Sequence, residues 1–383
     1  MSSLDLVLRG GRVVDPGQGI DALLDVGISN GRIAALAPHL DAPQIHDVSG
    51  RIVTPGLIDL HTHVYWGGTS LGVDPLILAR RGCTTLVDTG SAGAGNFDGF
   101  RRYVIDTCPV RIVAYLNISF AGIYAFSKTI MIGESGDQRL LAPIDTLAVA
   151  EANRDVLAGL KVRVGHHASG TAGLVPLEIA RQTAEQLDMR MMVHIDHPPP
   201  TLEQVLALMR PGDVLTHCFR PFPNAPVTRD GGVLPAVSEA RERGIVFDIG
   251  HGMGSFSFEV ARTMLAKGFA PDTISSDVHA LCIEGPAFDL TTTMSKFLCL
   301  GMPLGEVIRR TTVNAAQAID RPQLGTLALG TTADISILSL ETGAFDYVDS
   351  TGATLQGAQR LTAAGIVIGG LLWEASEEVR QAG

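Results

Sequence analysis

The stretch Gly56 to His63, GLIDLHTH, ends in two histidines separated by one residue. Residues i and i+2 of a strand project to the same side, so both imidazoles can reach one ion. Further along, Lys161, His194, His217 and Asp277 each sit within or at the end of an apolar run: GLKVRVG (159–165), MMVHIDH (191–197), DVLTHCF (213–219) and TISSDVH (273–279). A charged or imidazole group in such a run is costly without a partner. Imidazole and carboxylate are ligands for Zn²⁺ and similar ions. One histidine near a strand end is usually a satisfied structural residue. His61, His63, Lys161, His194, His217 and Asp277, in chain order on five apolar runs, argue instead for a metal site.

Lys161 is the odd member, because an ammonium beside a divalent cation is repelled. One reading is an ion pair with a carboxylate, Asp88 in TTLVDTGS (84–91) being a candidate. The other is carbamylation by CO₂, which turns the amine into an anion with two oxygens able to bridge two ions.

The elements that must position these residues fall into two kinds. Residues 1–55 and 325–383 alternate apolar and polar over short runs with Gly, Asp and Pro punctuation, which predicts strands and hairpins. SNGR (29–32) carries an Asn-Gly turn signal, and GIVIGGLLW (365–373) reads as a strand pair. The two ends are expected to pair into one small β-sandwich. The middle, 56–324, alternates eight apolar runs with helix-like segments such as PLEIARQTAEQLDM and PAVSEARERG. That pattern predicts an α/β fold, a (β/α)₈ TIM-like barrel whose active site lies at the C-terminal ends of its strands.

The apolar fraction of 46% is ample for a large core, and a charged fraction of only 18% argues against long disordered tracts. The net charge of −11 argues against binding nucleic acid. Cys83, Cys108, Cys218, Cys282 and Cys299 are scattered singly, as expected for reduced thiols in the cytoplasm. No signal peptide is evident, and no apolar run is long enough to span a membrane.

Taken together, TPGLIDLHTHVYWGGTSLGVDP, GCTTLVDTGSAGAGNFDGFRRYVI, GLKVRVG, GDVLTHCF, FDIGHGMGSFSFEVA, PDTISSDVH and FDLTTTMSKFLCLGM make the chain resemble the amidohydrolase superfamily. The resemblance is to its deacetylase-type members, which are often labelled dihydroorotase, and it runs over nearly the whole chain. It implies a binuclear metal centre. His61 and His63 would bind the more buried ion, His194 and His217 the more exposed one, carbamylated Lys161 would bridge them with a hydroxide, and Asp277 would complete the buried site. Two divalent cations, Zn²⁺ by default, would generate that hydroxide near neutral pH. Asp277 would shuttle a proton to the leaving group.

The resemblance sets the reaction, hydrolysis of an amide or ester, better than the substrate. Dihydroorotases usually carry Arg two residues after the second histidine, and Tyr65 stands there instead. Cyclic amide hydrolysis of the hydantoinase type stays open. Arg163, two residues after Lys161, either holds a substrate carboxylate bidentately or makes an ion pair at the barrel rim. The resemblance suggests acylated α-hydroxy acids or N-acyl amino acids. His251 and His279 either orient substrate, with Tyr65 and Arg163, or hydrogen-bond a ligand. His166, His167 and His197 lie on loops, where they tune the pocket or face solvent, and Tyr124 is a candidate donor to an oxyanion. A non-catalytic scaffold would have lost ligands, and none of the six is missing. The expected partner is a small-molecule carboxylate, with no membrane involved and the enzyme a homo-oligomer.

Overall fold

A computed structural model describes residues 3–374. Its strands form two sheets, one of eight strands and one of seven. The eight-stranded sheet is mixed and draws on both ends of the chain. Leu6–Asp15 pairs antiparallel with Ile20–Ser29, which pairs with Arg32–Ala37. Leu6–Asp15 also runs parallel to Gln44–Asp47 and Ile52–Pro55. Ile52–Pro55 in turn pairs antiparallel with the start of Ile335–Val348, which continues into Thr354–Ile368 and Leu371–Glu374. Asn30 and Gly31 have φ of 51° and 71°, the conformation an Asn-Gly hairpin turn requires. The Gly369–Gly370 turn matches the break in GIVIGGLLW.

The expected β-sandwich takes a different form. Because Ile52–Pro55 is paired on both sides, strands from the two ends lie on one continuous hydrogen-bonded path instead of in two separately paired sheets. Leu8, Val13, Val26, Ile28, Val53, Ile335 and Ile337 form its core.

The seven-stranded sheet is wholly parallel and keeps chain order: Leu57–Thr62, Cys83–Gly93, Arg111–Asn117, Leu157–Val164, Arg190–Ile195, Val214–Leu215 and Val246–Phe247. Every residue of the first two strands is buried. This is why apolar residues point to both of their faces instead of alternating with polar ones: a parallel sheet is covered on both faces. Helices such as Val175–Leu187 cover it, burying Leu177, Ala180, Ala184 and Leu187, the i, i+3, i+7 stripe of one helical face.

The eighth expected strand, 273–279, is not regular. It makes one bridge to each edge of the sheet, Asp248 to Thr273 and Thr62 to Val278. The Asp277 amide donates to the His61 carbonyl at 2.7 Å, and the His251 amide to the Ser275 carbonyl at 3.2 Å, so this segment joins the first and last strands of a curled sheet. Asp277 has φ of 50°, a left-handed conformation that breaks a regular ladder. Among the described residues no helix is long and apolar enough to cross a membrane.

Buried Asp15 ties the two ends of the chain together. Its carboxylate accepts from the Gly17 amide at 2.9 Å, the Leu327 amide at 2.7 Å and the Thr326 hydroxyl at 3.0 Å. Asp15→Ala would leave buried donors unsatisfied, at about 1–3 kcal/mol for each. We expect a lowered thermal unfolding midpoint with unchanged metal binding; an unchanged midpoint would remove Asp15 from this role.

Candidate active site

The parallel strands all end on the same side, and the polar residues follow them there. His61 lies at the end of the first strand and His63 just past it, Lys161 lies in the fourth, and His194 lies near the end of the fifth. His217 follows the short sixth strand, and Asp277 sits in the irregular segment that closes the sheet. All six line one cavity. His217, with φ of 66°, and Asp277 both hold left-handed backbone. Strain of this kind gathers at functional sites because the surrounding structure must hold it in place.

The outer nitrogen of each ring is held, which fixes where the other points. The Thr216 hydroxyl donates to Asp248 at 2.8 Å, so its oxygen accepts from His61 Nδ1 at 2.7 Å. His63 Nδ1 meets Ser91 Oγ at 2.9 Å, and the Ser91 hydroxyl also engages Asp88. His217 Nδ1 donates to the Gly250 carbonyl at 2.7 Å. His217 Nε2 is then an acceptor, and it meets His194 Nδ1 at 2.7 Å. With its proton on Nδ1, His194 presents a lone pair at Nε2, a buried atom without a hydrogen-bond partner.

The Nε2 atoms of His61, His63 and His194 are therefore free acceptors, while His217 Nε2 already accepts from His194 Nδ1. His61 Nε2 lies 3.2 Å and His63 Nε2 3.3 Å from the same Asp277 oxygen, Oδ1. Facing lone pairs at this distance repel unless a proton or a cation lies between them. Ligand atoms of His61, His217 and Asp277 come within 4.8 Å of one another, as one ion would require. Lys161 Nζ is buried and has no hydrogen-bond partner. Gly90, at φ of 83°, lets the Lys161 stem approach: a Cβ there would lie 2.6 Å from Lys161 Cγ. The donor set thus fits divalent ions, with nitrogen and carboxylate ligands aimed into one buried space.

No family model matches the chain. It is 37% identical to the deacetylase Atu3266 of Agrobacterium fabrum over 327 residues, 84% of this chain and 80% of that one. It is 32% identical to a deacetylase of Enterococcus faecalis over 385 residues, 97% of this chain and 99% of that one. Among solved structures, one described as a dihydroorotase superposes with a TM-score of 0.89 at 34% identity, covering 97% of this chain and 99% of that one. The chain belongs to the amidohydrolase superfamily. It is a metal-dependent amidohydrolase.

Burial shapes the proton affinities in this amidohydrolase site. It drives His61, His194 and His217 well below the usual imidazole range and takes His63 to about 3, so the rings are neutral bases at neutral pH. It raises Asp277 to about 6, against the pull of His279 and Lys161. It lowers Lys161 to about 7, with Asp277 opposing.

The other expected residues divide. Arg163 lines the cavity over the Phe126 ring, and one of its nitrogens pairs with buried Glu134 at 3.1 Å. His279 also lines it. Its Nδ1 accepts from the Leu281 amide at 3.2 Å, so Nε2 carries the proton in the cavity wall. His167 and His197 stand at the rim beside Asp196. His166 packs edge-on against His167, both rings exposed.

Tyr65 and His251 lie elsewhere. The Tyr65 hydroxyl donates to the Asn96 carbonyl at 3.3 Å, and its ring packs on Phe100, outside the cavity. His251 stacks on Phe256, and its Nε2 accepts from buried Lys296 at 2.8 Å. Both sit beyond the last regular residue of their strands, where alternation no longer fixes direction. Tyr124 is half exposed and outside the cavity. Asp88 accepts the Val64 and Ser91 amides, at 2.8 and 2.9 Å, and makes no ion pair with Lys161, one of the two readings of that lysine.

Sequence reading passed over Thr216, Ser91, Asp248, Glu134 and Arg220. Asp248 had a signal, an acid inside the apolar run IVFDIGHG. It accepts from Thr216, Thr273 and Ser275, and anchors His61 through Thr216. Glu134 lies on a loop without periodicity. Thr216→Val keeps the shape and removes this link to His61. Metal affinity should fall about 10–100-fold, as for other residues that orient a metal-binding histidine. Titrating chelator-stripped protein with Zn²⁺ checks it, and wild-type affinity would show that Thr216 does not orient His61.

Proposed function

We propose that the chain removes an acyl group, acetyl in the first instance, from small α-substituted carboxylic acids such as acylated α-hydroxy acids or N-acyl amino acids. Two divalent ions, Zn²⁺ by default, would be held by His61, His63, Lys161, His194, His217 and Asp277. The observation that carries the reading is the buried Lys161 amine without a partner among inward-facing lone pairs.

An amine lowered to about 7 is substantially neutral at neutral pH, the form that adds CO₂. A bond forms between Nζ and the CO₂ carbon, one proton leaves the nitrogen, and the neutral amine becomes a carbamate anion. Divalent ions held by these residues would supply a water of lowered pKa and polarise the scissile carbonyl. Asp277 takes the proton from the attacking water and delivers it to the departing oxygen or nitrogen. His279 donates through Nε2–H to the substrate. Arg163, with one face committed to Glu134, offers its remaining donors to the α-carboxylate. Leu71, Ile123, Phe126, Met131 and Met253 supply apolar wall for the acyl group or side chain. A cyclic amidase would use the same machinery on a hydantoin.

Reconstituted protein should hold about two divalent ions per chain; fewer than one would overturn the reading. Labelling with ¹³C-bicarbonate should give a carbamate signal that Lys161→Ala removes. Asp277→Asn should cost about 10²–10⁴ in kcat, the range for loss of a general acid–base; near wild-type turnover would exclude Asp277 as the shuttle. A screen of both enantiomers of acylated hydroxy and amino acids alongside hydantoins distinguishes the substrate classes, and turnover of hydantoins alone would overturn the acyl assignment.

A further inference from the structure

Two arginines flank His194 in the cavity wall, and their charges are balanced differently. Arg163 lies on the neighbouring strand in register with His194 and has the Glu134 carboxylate at 3.1 Å. Arg220 follows the sixth strand, three residues after His217, and is 4% exposed. Its Nη1 donates to the Ile195 carbonyl, a neutral acceptor, and its Nε has no partner. No carboxylate among the described residues pairs with it. The acid that acts on it through space is Asp196. That carboxylate is already engaged by the His167 amide at 3.1 Å and the Ala168 amide at 2.9 Å. Burial lowers Arg220 only to about 10, so it stays charged at neutral pH.

A buried guanidinium without a counter-charge is expensive, and proteins usually neutralise one by pairing. Here the guanidinium, with Asp196 acting on it only through space and no carboxylate bonded to it, lines the substrate cavity. His167 and His197, with rings 5.0 Å apart, line the same side and add hydrogen-bonding groups at the rim.

We infer that Arg220 is the seat of a second acidic group on the substrate, so that the preferred substrates are acylated dicarboxylic acids. This rests on the proposed function for the first carboxylate, at Arg163, and for the reacting acyl group. The second carboxylate extends from the α-carbon past His194 toward Arg220, His167 and His197. The carboxylate supplies the directly bonded counter-charge that Arg220 lacks, and the bond is charge-assisted. A neutral amide of the same size leaves Arg220 unpaired.

Two readouts test this on the metal-loaded enzyme. The first compares kcat/KM for N-acetylglutamate against N-acetylglutamine, and N-acetylaspartate against N-acetylasparagine, in both enantiomers. At least one acid should exceed its amide by about tenfold or more, as a charged hydrogen bond allows, and R220Q should bring that ratio close to one. The second measures binding of glutarate and glutaramate by calorimetry, with no chemistry required. Glutarate should bind about tenfold or more tightly to wild type, and R220Q should again erase the difference.

Equal binding of glutarate and glutaramate to wild type, or a preference that survives R220Q, overturns the inference. If R220Q fails to fold, R220K takes its place, and a preference fully retained with a point-charge ammonium is still consistent while its absence in wild type is fatal. Absence of turnover for every acyl substrate, with the glutarate preference intact, strikes the proposed reaction and leaves the anion seat standing.

Discussion

Inward-facing lone pairs on buried side chains are the constraint on which this structure depends. The Nε2 atoms of His61 and His63 meet one Asp277 oxygen, and His194 Nε2 is buried without a partner. Without positive charge among them this arrangement is unfavourable, because burial has removed the water that would solvate each acceptor. The protein maintains it by holding the opposite side of each ring. Thr216, Ser91 and the Gly250 carbonyl engage the outer nitrogens, and Asp248 holds Thr216. Burial then keeps the imidazoles neutral, the form a cation needs.

The parallel sheet is suited to this demand. Its strands end together, so residues far apart in sequence converge without long loops. The cost is concentrated at the closing segment. Asp277 takes left-handed backbone, and buried Asp59 accepts the Ser276 amide at 2.9 Å to hold that segment against the first strand. Desolvation raises Asp59 to about 7, so it retains much of its proton near neutrality, which limits the charge buried behind the site.

How far the sequence was legible follows from where regular structure stops. Alternation predicts that Lys161 and Arg163 share a face, and the strand continues to Val164, so both line the cavity. Tyr65 lies outside the cavity, because that strand ends at Thr62 and the chain then turns. His251 lies outside it too, four residues past Phe247. The metal-ligand candidates were legible because polar groups stand out in apolar strands. Arg220 and Glu134 were not, since charged residues on loops are ordinary until their burial is known. The pairing of Ile52–Pro55 with Ile335–Leu338 leaves no local mark, so one continuous sheet could not be told from two.

Charge at the cavity bears on what enters it. The chain carries a net charge of −11, which at long range disfavours an anionic substrate. At physiological ionic strength that repulsion is screened beyond about 8 Å. What remains is local. Glu134 offsets Arg163, and two backbone amides engage Asp196, while Arg220 keeps its charge. Buried within low-dielectric walls, such a charge acts far more strongly on a bound ligand than the same charge would on the surface. Selection among small acids on the proposed reading therefore takes place at the cavity wall, through which arginine the protein has already neutralised, and not through attraction from a distance.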